Sequence, residues 1–264
     1  MTRFHHRTTI RLTSAFMLVG SLALGCSDAP TGPGGTGNGG GDYSHDRATG
    51  ASANDLLSGD SYRRLVVQVQ YVEGAAPDAQ GLEHLESFLN ARLNKPGGIE
   101  IRVDGAPIGP GTGTTYSAAD IRALEEAHRT EYTRGDTLAA YLIYVDGEYD
   151  QQANVLGIAY NNTSTALFGE KIQQNTGGIG QPTRATVEGT VANHEFGHIM
   201  GLVNNGSDMQ EPHQDTGNGR HCDNDRCLMY FSVRTTDFLS NLIGAGPPSL
   251  DQNCIDDLRG NGGK

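Results

Sequence analysis

"HEFGHIMGLVNNG", residues 194–206, decides how this chain is read. His194 and His198 are four apart, so in a helix their imidazoles project from one face a single turn apart. Two nitrogen ligands need that arrangement to share one tetrahedral zinc ion. Glu195 follows the first histidine. Its carboxylate can reach a water on such an ion without ligating the ion itself, and so can act as general base. The pattern predicts a helix over about 186–202. Val187, Val191, His194 and His198 line one stripe of it, and Phe196, Ile199 and Val203 a second that faces a core. Gly201 ends the helix, because glycine enters the left-handed turn that swings the chain back toward the metal.

A tetrahedral site needs a third protein ligand from downstream. "HCDNDRCLM", residues 221–229, fits H-C-x4-C-x-M. With His194, Glu195, His198 and Gly201, this string resembles the metzincin zinc peptidases, whose pattern is HExxHxxGxx(H/D) followed by a methionine turn. Within that clan it is most similar to the archaemetzincins, where the third histidine, two cysteines and the turn methionine share this spacing. The chain departs from the pattern at Asn204, which stands where the third ligand is expected. Nineteen residues separate Gly201 from His221 where the family has two, an insertion of 17. The resemblance implies His221 as third ligand, Met229 as the turn methionine beneath the metal, one catalytic zinc and peptide-bond hydrolysis. His213, inside the insertion in "PHQD", is the alternative third ligand, with Asp215 nearby to orient it.

The rest of the chain is compatible with such a domain. "RRLVVQVQYV" (63–72) alternates as a strand, and 78–93 repeats leucine at helical spacing. Residues 98–105 read as a second strand. Ser117 and Asp120 open a helix over 117–132, and "TLAAYLIYVDG" (137–147) is a buried central strand. "NVLGIAYNN" and "STALFGEKI" read as two shorter strands. The expectation is an α/β (α+β) zincin with a mixed, mostly parallel twisted sheet, an active-site helix, and a smaller C-terminal subdomain with a Met-turn and helix. In metzincins a peptide substrate adds to the sheet edge above the cleft, and 154–160 is the segment suited to that edge. Tyr230, beside Met229, reads as a packed aromatic or an oxyanion donor.

Residues 1–25 read as a signal peptide: Arg3, Arg7 and Arg11, then an apolar run too short to span a membrane. The run ends in "LALGC", which looks like a bacterial lipobox with Cys26 as the acylated residue. Seven of the eleven residues from Thr31 to Gly41 are glycine, so 26–60 is read as a lipid-anchored flexible linker and 61–260 as the domain. Without 1–25 the net charge of −12 becomes −15. That charge argues against nucleic acid and against anionic membrane surfaces, leaving a lipid anchor as the membrane contact and a peptide or protein as substrate. Location follows as the bacterial envelope (outer membrane or cell surface) or secretion.

Cys222, Cys227 and Cys254 remain. Archaemetzincins continue with a CxxC that completes a second zinc site. Here only Cys254 follows, so a four-cysteine site is absent. A second metal with one further ligand is open to the three thiols, whereas an oxidising compartment favours one disulfide. Two functional rivals stand beside a zinc endopeptidase: an envelope lipoprotein with a purely structural zinc, and a thermolysin-like arrangement using Glu211 as ligand.

Overall fold

The computed structural model describes residues 43–111, 113 and 115–264. The signal segment, Cys26 and the glycine-rich run lie outside the described residues. A short helix α1 (Ala53–Leu57) leads into strand β1 (Arg64–Tyr71), helix α2 (Ala79–Arg92) and strand β2 (Ile99–Val103). Strand β3 (Thr115–Tyr116), helix α3 (Ala118–His128), strand β4 (Thr137–Val145) and strand β5 (Glu148–Tyr149) follow. Strands β6 (Gly157–Asn161) and β7 (Ser164–Phe168) then precede helices α4 (Gly169–Gln174) and α5 (Arg184–Ile199). After a long loop come a 3-10 segment (Thr236–Leu242) and helix α6 (Gln252–Gly260).

The five-stranded sheet has the order β2-β1-β4-β7-β6. All its neighbours are parallel except β6, which runs antiparallel to β7 and forms one edge. β3 and β5 pair separately. Alternation along the central strands divides two cores. Leu138, Ala140, Leu142 and Tyr144 of β4 face α2 and α5, whereas Tyr141, Ile143 and Val145 face α3. Both faces of β4 are therefore covered, which explains its unbroken apolar run. Asp78 caps α2 by accepting from the amides of Gln80 and Gly81. Ser117 and Asp120 form the reciprocal capping box expected at α3.

Two expectations are corrected. "STALFGEKI" is a strand only to Phe168. The rest turns into α4, because the chain passes under Ala75 and Tyr144 at Gly169, where the sheet ends. The linker does not extend to residue 60. From Tyr43 onward the chain packs on the domain: Leu56 and Leu57 are fully buried, Asn162 Nδ2 donates to the Ser44 carbonyl (3.1 Å), and His45 Nε2 accepts from the Thr133 amide (3.3 Å). Lys95 then ties α1 to β1, its Nζ donating to the carbonyls of Asp55, Ser58 and Tyr62 at 2.5–2.8 Å. The helix is one turn and a half long, too short for sequence periodicity to reveal it.

Burying two leucine side chains contributes about 3–6 kcal/mol, against a typical total stability of about 5–15 kcal/mol. A chain starting at residue 61 is therefore expected to melt about 6–24 °C below one starting at residue 43. Thermal unfolding followed by circular dichroism checks this. Equal melting temperatures would restore the linker boundary at 60.

Candidate metal centre

Helix α5 is buried on every side from Ala185 to Ile199. Thr183 caps its start by accepting from the Thr186 amide, and at its end Gly201 takes φ +80°, as expected. A Cβ at Gly201 would come within 2.7 Å of Ala53 and 2.5 Å of the Ser207 amide, so space as well as dihedral angle requires glycine there. Two neighbours approach the helix closely. β6 crosses it at Gly157, where a Cβ would lie 2.5 Å from Val191 and 3.1 Å from the Glu195 side chain. Met229 packs into the gap left by Gly197, which any Cβ would close. The turn methionine, fully buried, thus sits against the helix one residue before His198.

His194, His198 and His221 converge, their ring nitrogens within 4.8 Å of one another. Nε2 of His194 and Nε2 of His198 are 3.2 Å apart. Zinc–nitrogen bonds of the usual length at a tetrahedral angle put two ligand nitrogens about 3.3 Å apart. His194 Nδ1–H donates to the Leu228 carbonyl (2.7 Å) and His221 Nδ1–H to the Asn218 carbonyl (2.6 Å), which directs Nε2 of each toward the shared centre. Nε2 of His221 is buried and unpaired. So is Oε1 of Glu195, which lies beside the set. Buried polar atoms normally have partners, and these two are left open where a cation and its water would supply them. The residues fit a zinc ion.

Electrostatics support the same conclusion. Burial drives His194 and His198 well below the usual imidazole value and lowers His221 to about 4, with Arg234 acting in the same direction on all three. All three rings are then neutral at pH 7, the form that ligates metal. Burial raises Glu195 to about 7, opposed by Arg234 and by the Ala159 amide of β6, so its carboxyl is poised to exchange a proton near neutrality.

His213 is not part of this group. It belongs to a second one, with Cys222, Asp251 and Cys254. Its orienting carboxylate is Asp257 on α6, with Nε2 to Oδ2 at 2.7 Å. Asp215 instead closes its own turn, accepting from the Gly217 amide and from Asn218. Sequence reasoning missed Asp257. The available signal was its position three after Cys254 on one helix, which places both on one face. The disulfide is also corrected: Cys222, Cys227 and Cys254 are all free and buried. Cys227 and Cys254 approach to 3.6 Å between sulfurs, well beyond the length of a bond. Asn204 and Glu211 are exposed, and Glu211 belongs to neither group. Tyr230 packs its ring on Phe231.

β6 forms the sheet edge beside Glu195, as the segment 154–160 was expected to do. Arg234 Nη1 donates to the Gly157 carbonyl (3.3 Å) and Arg122 Nη2 to the Tyr160 carbonyl (2.8 Å), so an arginine holds each end of this strand.

A solved structure similar to this chain is that of archaemetzincin from Methanopyrus kandleri, with a TM-score of 0.50 and 16% identity, covering 76% of this chain and 96% of that one. At this identity the likeness establishes the fold: a mixed α/β domain with a mostly parallel sheet, as in archaemetzincin. No protein-family model and no curated protein sequence matches the chain.

The buried imidazoles make metal-free stability depend on pH. Their folded values lie below the unfolded 6.5, so below pH 6.5 the unfolded chain binds up to three protons that the fold refuses, and stability falls with falling pH, the share of His221 ending near pH 4. Glu195 acts oppositely between 4.5 and about 7, where the fold holds one proton more. Three against one leaves a net loss of stability as pH falls from 6.5 toward 5. Urea unfolding of the metal-free protein at pH 7 and pH 5 is expected to show it, and greater stability at pH 5 would contradict the burial of neutral histidines.

Proposed function

We propose that this chain is a zinc metallopeptidase of archaemetzincin type, hydrolysing internal peptide bonds of a protein substrate outside the cytoplasm. The observation that carries the reading is the convergence of His194, His198 and His221 beside the unpaired Glu195 carboxyl. The similarity of fold to archaemetzincin supports it.

His194, His198 and His221 would hold the zinc through Nε2. Bound there, zinc would supply a water of lowered pKa, near 7, and polarisation of the scissile carbonyl. Glu195 takes the proton of the attacking water and returns it to the leaving amine. Its raised pKa suits both halves, since a carboxyl near 7 accepts and releases a proton with little cost at neutral pH. β6 lies against Glu195 and offers a substrate backbone an edge to pair with. Met229 fixes the floor of the ligand set by filling the gap at Gly197. Cys26, acylated after signal cleavage, would tether the acidic domain to the envelope through the glycine-rich segment.

The rival reading is a lipoprotein whose zinc is only structural. The buried Glu195 carboxyl argues against it, because a structural site has four protein ligands and no use for an unpaired carboxyl beside three. Glu195→Gln keeps the shape and removes the base. It is expected to retain zinc and to lower peptide hydrolysis by at least ~100-fold. Unchanged hydrolysis would remove Glu195 from the mechanism, and a wild type inert on a broad peptide library would favour the structural rival.

Anchoring is checked separately by expressing the full chain with labelled palmitate in a bacterium. Cys26→Ser is expected to abolish labelling and release the protein. A wild type that is unlabelled and soluble outside the cytoplasm would indicate a free secreted enzyme.

A further inference from the structure

The 17-residue insertion does more than lengthen a loop. From Leu202 the chain runs out to His213, turns through Asp215–Asn218, and returns to His221 and Cys222. The outgoing and returning arms pair: the Asp215 amide donates to the His221 carbonyl (2.8 Å) and the Asp223 amide to the His213 carbonyl (3.0 Å). This pairing sets His213 beside Cys222. His213 Nδ1 is 3.5 Å from Cys222 Sγ and 4.0 Å from Cys254 Sγ, and Cys227 Sγ is 3.6 Å from Cys254 Sγ. All four side chains are at most 1% exposed.

The archaemetzincin resemblance implies a second zinc site that needs a fourth cysteine this chain lacks; we propose that His213, supplied by the insertion, takes that place beside Cys222, Cys227 and Cys254, and that occupancy of the closed site positions His221. The existence of the site is independent of the catalytic reading. Only its effect on His221 rests on that reading.

The distances fit the ion. Zinc–sulfur bonds at a tetrahedral angle put two sulfurs about 3.8 Å apart, and a sulfur and a nitrogen about 3.6 Å apart. The surroundings fit as well. Asp257 Oδ2 accepts from His213 Nε2, so the Nδ1 lone pair faces the sulfurs, the carboxylate–histidine arrangement that orients a metal-bound ring. Cys227 Sγ accepts from the amides of Met229 (3.4 Å) and Asp251 (3.3 Å), as a buried thiolate requires. Asp251 is the competing ligand, with Oδ2 3.2 Å from Cys222 Sγ. Its carboxylate is already engaged as the cap of α6 and by Asn224, so Cys227 is the better fourth corner.

The link to the catalytic centre is covalent and short. Cys222 directly follows His221, Cys227 is two residues before Met229, and the Cys222 amide donates to the Met229 carbonyl (2.8 Å). An ion clamping Cys222 and Cys227 would fix the segment that presents both His221 and Met229.

The test is metal analysis and cobalt(II) substitution of the full chain purified in detergent. Two zinc ions per chain are expected, with a thiolate-to-cobalt charge-transfer band in the cobalt form. His194→Ala with His198→Ala should leave one zinc and the full band, whether or not the wild type cleaves peptides. His213→Ala should weaken the band and lower zinc affinity at the three-histidine site at least ~10-fold. His213→Cys should restore both, which a merely structural loop residue would not allow. If Cys254→Ser fails to fold, the His213 pair still decides. One zinc per chain with no thiolate band, or a disulfide among the three cysteines in the exported protein, would overturn the site. A full band in Cys227→Ser but a weakened one in Asp251→Asn would overturn Cys227 as ligand. Unchanged zinc affinity at the three-histidine site in His213→Ala would overturn the coupling.

Discussion

Everything in the site depends on a helix buried on all sides. α5 runs beneath the sheet, and no side chain from Ala185 to Ile199 reaches solvent appreciably. Its packing leaves no room for a methyl group at Gly189, against His84, nor at two points near the site, Gly157 on the crossing strand and Gly197 on the helix itself. Through the first gap Glu195 meets the edge strand. Through the second Met229 reaches the floor beneath the histidines. Substituting either glycine would push apart elements packed against each other there.

Burial also sets the chemistry. Desolvation keeps three imidazoles neutral and raises one carboxyl toward neutrality. In an apolar interior such a set is costly unless a cation balances it, since each unpaired polar atom forfeits hydrogen bonds it had in water. The unpaired Nε2 of His221 and Oε1 of Glu195 locate that unmet demand. The same reasoning applies some residues away, where three thiols and an imidazole meet with Asp257 behind the ring.

The central framework was readable in the sequence because its signals are local. β1, α2, α3 and β4 lie within a few residues of where alternation, leucine spacing and a capping box put them. α1 and α4 were not readable. Each is under two turns long, and each forms because the surrounding core receives Leu56 and Leu57, or Ile172, rather than because of its own periodicity. The edge position of β6 was legible from its glycine and short length, but the two arginines that hold its ends come from α3 and from the segment after Met229.

By itself the sequence determined the pairing of His194 with His198, the place of Glu195 and the left-handed turn at Gly201. Each is fixed by helix geometry over four residues and needs no distant partner. Which histidine joins the pair is left open by helix geometry: the H-C-x4-C-x-M spacing points to His221 only through a resemblance, and the physical choice is made by tertiary structure. His213 and His221 stand on the two arms of one loop, and only the folding of that loop against α6 decides between them: Asp257 takes the ring of His213, and the Asn218 carbonyl turns Nε2 of His221 toward the helix. The fate of the three cysteines was decided in the same way. Cys222 and Cys227 are near each other in sequence and the paired arms of the loop bring His213 to them, but Cys254 reaches them only because α6 packs beneath the returning arm, a long-range contact that leaves no mark on local pattern.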